Sequence, residues 1–239
     1  MPKKETILGV DVSNETYDSL VKQLFHYINE GKQSFIVAVN PEKIMKAKAD
    51  DHLRELINSA DYQIPDGVGV LIASKLKGGD IRDRITGIDL MMELVKEAAN
   101  QGKSIFLYGA KPGVADKAME ELLRQFPNLK IAGVIHGYKK EQIEIIEEIN
   151  NSQADILFVA MGSPRQEEWI RENRSKLNVK VLQGVGGSFD VLSGSIKRAP
   201  AGFRKFGLEW LYRLILEPSR WKRQLALPKF LIMVLKNKK

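Results

Sequence analysis

The feature that most limits the fold is a regular alternation of short apolar runs with longer amphipathic stretches. Ser34–Val39, Ser104–Tyr108, Lys130–Ile135, Asp155–Ala160 and Val179–Gln183 are runs of this kind. Runs this short and this continuously apolar read as strands buried on both faces. Between and beside them the periodicity predicts helices over Pro41–Asn58, Val114–Gln125, Lys140–Asn150 and Pro164–Leu177. Ile7–Val12 and a helix over Thr16–Glu30 are expected to join the same sheet or its edge. Buried strands alternating with helices predict an α/β architecture, a parallel sheet sandwiched by helices in the Rossmann-like manner.

Charge divides the chain unevenly. From Lys197 to Lys239 there are twelve Lys/Arg against two acids, so this tail is strongly basic while residues 1–196 carry a small net negative charge, the whole chain standing at +7. The tail also holds Trp210, Trp221, Phe230 and a run of aliphatic residues ending at Leu235. Basic residues interleaved with tryptophan, phenylalanine and leucine suit helices lying in a membrane interface, rings at headgroup level and cations on anionic lipid. Two domains are expected: a Rossmann-like body over 1–196 and a basic amphipathic helical appendage over 197–239. A helical pair packed on the body with a solvated basic face is the plainer alternative. Nucleic acid is disfavoured as a partner, because the apolar residues are too continuous for a groove that tracks phosphates and the body is acidic. A non-catalytic nucleic-acid-binding protein is still the rival from another class.

Other absences narrow the chemistry. With no cysteine, disulfides, thiolate metal sites and cysteine nucleophiles are excluded. The three histidines, His26, His52 and His136, show no ligand spacing, so a zinc site is not expected; no cofactor is expected either. The basic amino terminus lacks the apolar stretch of a signal peptide. No segment reaches the roughly 18–20 apolar residues that a spanning helix needs. The expectation is a cytoplasmic chain that touches a membrane without crossing it.

In parallel α/β sheets ligands sit beyond the carboxyl ends of the strands, and the informative residues cluster there. Gly109–Gly113 lacks the G-x-G-x-x-G spacing of a dinucleotide site, which counts against an oxidoreductase; it reads as a turn or a weak phosphate contact. Gly186-Gly187-Ser188 reads either as a nest of main-chain N–H groups for an anion or as a flexible link. Asn40-Pro41 reads as a helix cap, Ser163 with Gln166 and Thr86 with Asp89 as capping boxes. Pro65-Asp66-Gly67 follows a turn recipe, yet Asp66 stands where a polar loop meets an apolar segment, a setting that can make a carboxylate a base. Arg82 and Arg84 can pair with Asp83 or grip a phosphate. There is no D-x-D triplet, so any diphosphate would rest on arginines and main-chain amides.

Taken in order, Asn40-Pro-Glu42, Pro65-Asp-Gly-Val-Gly69, Arg84-x-x-Gly87-x-Asp-Leu90, Leu107-Tyr-Gly109, Ala160-Met-Gly-Ser-Pro-Arg-Gln166-Glu-x-Trp169 and Gly184-Val-Gly-Gly-Ser-Phe-Asp190 resemble the WecG/TagA/CpsF glycosyltransferases, glycosyltransferase family 26. The likeness spans about residues 6–236, and the tail resembles the wall teichoic acid branch. The resemblance implies a metal-independent, inverting transfer of N-acetylmannosamine from UDP-ManNAc to the 4-hydroxyl of GlcNAc on undecaprenyl diphosphate. A relative using another UDP-hexosamine, or a UDP-ManNAc-derived uronic acid, is the alternative. It further implies a peripheral enzyme on the cytoplasmic face of the cell membrane, a tail that closes over the site, and a homo-oligomer whose dissociation exposes it.

Carried over by position, Asp66 is the general base, while Asn40, Arg84 and Gln166 line the donor sugar and diphosphate. Arg213, Arg220 and Arg223 come from the tail to neutralise phosphates, and Tyr138 and Asp190 hold the uridine. Ala38 departs from the family pattern, which has threonine two residues before the asparagine, and so leaves the donor sugar less well specified.

Overall fold

The computed structural model describes residues 3–139, 141–205, 207–216 and 226–237. Strands β1 (Lys4–Ile7) and β2 (Val10–Ser13) form a separate antiparallel hairpin. Strands β3 (Ser34–Val39), β4 (Tyr62–Pro65), β5 (Ser104–Gly109), β6 (Lys130–Ile135), β7 (Ile156–Ala160) and β8 (Val181–Gly184) form one sheet in the order β4-β3-β8-β7-β5-β6. Every pairing in it is parallel. The expected Rossmann-like sandwich is the observed one.

Two apolar layers hold the sheet. Phe35, Val37 and Val39 point into one and Ile36 into the other, the period-two alternation of a pleated strand. Helices α1 (Tyr17–Asn29), α5 (Gly87–Gln101) and α6 (Val114–Gln125) cover one face. On the opposite face lie α2 (Pro41–Ala49), α3 (Asp51–Asn58), α4 (Val68–Leu76), α7 (Gln142–Asn151) and α8 (Arg165–Asn173). Short helices α9 (Ser188–Leu192) and α10 (Ala201–Lys205) lead to α11 (Glu209–Leu216) and α12 (Ala226–Lys236). Helix α12 packs on α2 and α4. Its Phe230 and Val234 are buried with the core of that face, each worth about 1.5–3 kcal/mol. The last helix of the basic tail is thus integral to the packing. Among the described residues no helix is long and apolar enough to cross a membrane.

Several expectations are corrected. The predicted helix over 41–58 is two helices, because Asp50 leaves helical geometry (φ −137°, ψ 103°) and its carboxylate caps Leu53 N–H instead. An aspartate gains more as a cap than inside a helix. The amino-terminal segment does not enter the main sheet; it lies beside β4, where the Gln63 N–H donates to the buried Ser13 hydroxyl. The helix expected to Leu177 ends at Asn173 and continues as a 3₁₀ turn over Arg174–Lys176. The expected capping box of Ser163 and Gln166 does not form, since Pro164 is the cap residue and makes no side-chain cap bond. Thr86 and Asp89 complete half of theirs: the Thr86 hydroxyl accepts from Asp89 N–H, but the Thr86 N–H donates to the Tyr17 hydroxyl at 2.8 Å.

The topology decides where a ligand can enter. From β5 the chain moves outward to β6 at the edge, whereas from β7 it moves inward to β8. The loops leaving β5 and β7 therefore diverge, and a crevice opens between them at the carboxyl ends.

Candidate active site

Two recesses lie along that carboxyl edge. The first sits beyond β3 and β4, has a volume of about 230 Å3, and is lined by Asn40, Asp66, Arg84, Thr86, Glu209, Trp210 and Leu227 among others. Asn40 is held because its side-chain oxygen accepts from Lys43 N–H at 2.9 Å, with Pro41 opening α2. Asp66 is pinned by the continuing ladder. Its N–H donates to Val39 carbonyl at 2.8 Å, and Ile85 N–H donates to Pro65 carbonyl at 3.0 Å. This brings the segment carrying Arg84 alongside the segment carrying Asp66.

The appendage roofs this recess. Arg84 Nη2 donates to Glu209 Oε2 at 2.5 Å, with side chains 16% and 21% exposed. A Cβ placed on Gly69 at the start of α4 would lie 2.5 Å from Leu227 Cδ1 and 2.6 Å from Pro41 Cγ, so only a glycine lets α12 approach so closely. At the start of α5, Arg198 is paired with the Asp89 carboxylate. Burial pulls that carboxyl upward. The hydrogen bonds from Arg198 and Thr86, with the charges of Arg198 and Arg204, outweigh burial and hold it below its usual value. Burial also raises the Tyr17 phenol; hydrogen bonds from Thr86 oppose this, while the carboxylates of Asp89 and Asp66 add to it.

The second recess is the crevice at the strand switch, about 330 Å3, lined by Lys111, Tyr138, Gly162, Arg165, Gly187, Asp190 and their neighbours. Tyr138 is exposed, its ring available to stack. The glycine nest is not available as expected. The Gly186 N–H donates to Gln166 Oε1 at 2.9 Å, and Ser188 N–H donates to Val185 carbonyl at 3.1 Å. Two of its three main-chain donors are therefore spent within the protein.

The structure thus separates the expected residues into groups. Asn40, Asp66 and Arg84 meet in the first recess; Tyr138, Gly187 and Asp190 meet in the second. Gln166 lies buried between α8 and β8, packed on Gly184. Arg220 and Arg223 lie outside the described residues, as does the side chain of Arg213, whose backbone is in α11. Sequence reasoning missed Arg165, Lys111, Glu209 and Trp210 as lining residues. Arg165 could have been found as the first helical residue beyond β7, a position that faces a ligand in this architecture.

Chemically, the first recess offers Asp66 with the further carboxylates of Glu42 and Glu209, an arginine and a carboxamide at a partly apolar mouth, and the second offers an aromatic ring, a carboxylate and two cations. Among the described residues no three His, Asp or Glu side chains are grouped so as to hold a metal ion. Such a pair of recesses suits a charged, extended donor in the crevice whose reactive end reaches a base in the neighbouring pocket.

A profile of the glycosyl transferase WecG/TagA/CpsF family matches residues 5–239. The chain is 42% identical over 213 residues, 89% of its length and 83% of the relative's, to the N-acetylglucosaminyldiphosphoundecaprenol N-acetyl-beta-D-mannosaminyltransferase of Bacillus spizizenii. It is 39% identical over 98% of its length, and 92% of the relative's, to the protein of that name from Bacillus subtilis. For the one from Staphylococcus aureus the identity is 38%, over 99% of this chain and 94% of the relative. With a family profile spanning nearly the whole chain and relatives 38–42% identical over most of it, the chain belongs to the WecG/TagA/CpsF glycosyltransferase family.

Proposed function

We propose that the protein transfers N-acetylmannosamine from UDP-ManNAc to the 4-hydroxyl of GlcNAc on undecaprenyl diphosphate. The observation that carries this reading is the convergence of Asp66, Asn40 and Arg84 in one recess, roofed by the basic tail and neighbouring a crevice suited to a nucleotide. The names of the relatives supply the acceptor and the sugar.

In this mechanism the uridine lies in the crevice, with Tyr138 stacking on the base, Asp190 accepting from ribose hydroxyls and Gly187 allowing close approach. The diphosphate is met by Arg84 and, from the tail, by Arg213, Arg220 and Arg223; Asn40 orders the sugar end, while Gln166, buried with both ends of its amide engaged, acts through the Gly186 loop rather than on the sugar. A β-linked product from an α-linked donor requires a single displacement at the anomeric carbon. The acceptor oxygen forms the new bond as the bond to the β-phosphate breaks. Its proton passes to Asp66, and the electron pair leaves with UDP. Charge grows on the diphosphate as that bond breaks, so preorganised guanidinium groups contribute most of the stabilisation, and a positioned base adds about 10²–10⁴-fold.

The acceptor lipid places the reaction at the cytoplasmic membrane face, which the basic, apolar appendage meets peripherally; a homo-oligomer would keep the same face covered until it dissociates. Ala38 favours a second reading in which the donor is another UDP-hexosamine or the derived uronic acid. Turnover of a panel of UDP-sugars with a lipid-linked GlcNAc acceptor decides between them. Highest kcat/KM with UDP-ManNAc supports the first reading, and a clear preference for another sugar overturns its donor.

A further inference from the structure

Glu167 is fully buried and charged, yet it lines neither recess. Its Oε1 accepts from the Lys43 ammonium at 2.8 Å, where the Lys43 side chain is only 11% exposed. Gln166 Nε2 donates to the same oxygen at 3.1 Å. Glu167 Oε2 has no hydrogen-bond partner among the described residues. Desolvation offsets much of the attraction in a pair this deep, and well-packed apolar side chains of similar volume are often as stable there. What the pair positions therefore explains it better than what it stabilises.

Both ends of the pair lead to a recess. The main-chain N–H of Lys43 donates to Asn40 Oδ1 as the cap of α2, so the first turn of α2, which the Lys43 ammonium ties to Glu167 on α8, is the turn that carries the carboxamide lining the Asp66 recess. At the other end the carboxylate sets the orientation of Gln166. An ionised carboxylate only accepts, so the NH2 of Gln166 must face it and the Gln166 carbonyl must face away. That carbonyl receives the Gly186 N–H at 2.9 Å, and Gly186 with Gly187 lines the crevice. Flipping the Gln166 amide would lose both bonds.

We propose that Lys43 and Glu167 are a positioning pair that sets the two recesses in register, fixing Asn40 at one and the Gly186–Gly187 loop at the other without touching substrate. The kinetic part of this inference rests on the proposed transfer reaction. A misplacement of about 1 Å between reacting groups can cost on the order of 10²-fold in rate, so the pair acts on kcat more than on donor affinity.

The test uses the full chain. Lys43→Met/Glu167→Gln removes both charges at nearly constant volume, and Lys43→Arg keeps the cation. The first measurement needs no activity: the Gly186 amide resonance in a 15N spectrum. It should shift in the double variant and return close to wild type in Lys43→Arg; a Gly186 resonance indifferent to both overturns the proposal. The second is steady-state turnover of UDP-ManNAc with lipid-linked acceptor, where the folded double variant should lose about 10–100-fold in kcat with a far smaller change in donor KM. Wild-type kcat in a double variant that melts like wild type reduces the pair to packing and also overturns it. If the double variant does not fold, Glu167→Gln alone carries both measurements, since it neutralises the acceptor that orients Gln166. Failure of the wild-type protein to use UDP-ManNAc would sink the proposed reaction, and the Gly186 resonance would still decide the positioning role.

Discussion

Arg84 in the body and Glu209 in the appendage are joined by a 2.5 Å hydrogen-bonded ion pair across 125 residues of chain. A carboxylate offers a guanidinium the same acceptor geometry as a phosphate. On the proposed mechanism, in which Arg84 meets the donor diphosphate, Glu209 would compete for the same guanidinium. Glu209→Gln should raise the affinity for UDP by about two- to fivefold, the scale of a partly exposed ion pair. Isothermal calorimetry at low and moderate salt measures it, and an unchanged affinity would mean that Glu209 does not compete.

Asp66→Asn keeps the size and hydrogen-bonding reach of the side chain but cannot take a proton. Turnover should fall by about 10²–10⁴-fold while UDP binding stays near wild type. Full activity in the Asn variant would assign the base to another group.

Most of the sheet was legible because β3, β5, β7 and β8 are buried on both faces, so apolar continuity marks them; β6, partly exposed at the edge, still reads from its apolar run. Strand β4 was not legible, since Tyr62–Pro65 contains the polar Gln63 and runs into a proline. Gln63 is buried only because its amide finds the carbonyls of Ile57 and Ala60, a tertiary arrangement without a local signature. The same distinction runs through the site. Asn40 announces itself at a strand end and Asp66 in a Pro-Asp-Gly turn beside an apolar segment, whereas the contact of Glu209 with Arg84 depends on a tail docking 125 residues away. The nest at Gly186 failed for a related reason: the glycine pair was visible, but the Gln166 carbonyl that claims its N–H was not.

Gly109 ends β5 with φ of +122°, and a Cβ there would lie 2.5 Å from the Ala160 carbonyl oxygen on β7. Gly109→Ala thus combines a backbone conformation unfavourable by about 1–3 kcal/mol with a clash against main chain at the floor of the crevice. Urea denaturation should show a loss of at least that size, accompanied by weaker UDP binding. A midpoint equal to wild type would mean that the β5 and β7 ends separate freely.

Asp89 gives a pH dependence with a definite sign. Its carboxyl is held below 3.8 in the folded protein, so the folded state binds that proton less readily than the unfolded chain. The stabilisation is complete above the unfolded value and is lost as pH falls through the folded one. Asp89→Asn should therefore lower stability at pH 7, and the gap to wild type should narrow as the pH is taken from about 5 toward 2. Denaturant midpoints across that range measure it; a gap that stays constant would show that the Arg198 pair contributes nothing through charge.

Helix α12 divides its apolar residues between two environments: Phe230 and Val234 are in the core, whereas Ile232 and Leu235 are 53% and 51% exposed. Lys229 and Lys236 lie exposed on the same helix, an arrangement that matches an anionic interface, aliphatic side chains below and ammonium groups above. Removing the whole tail would strip Phe230 from the core and confuse binding with unfolding. The sharper variant is Ile232→Glu/Leu235→Glu, which leaves both recesses untouched. Its partitioning onto vesicles containing anionic lipid should weaken by roughly tenfold or more, given about 1.5–3 kcal/mol for each fully buried aliphatic side chain. UDP affinity should be unchanged, and added salt should weaken the residual binding. Sedimentation with vesicles at wild-type levels by the double variant would move the membrane contact off α12 to another part of the chain.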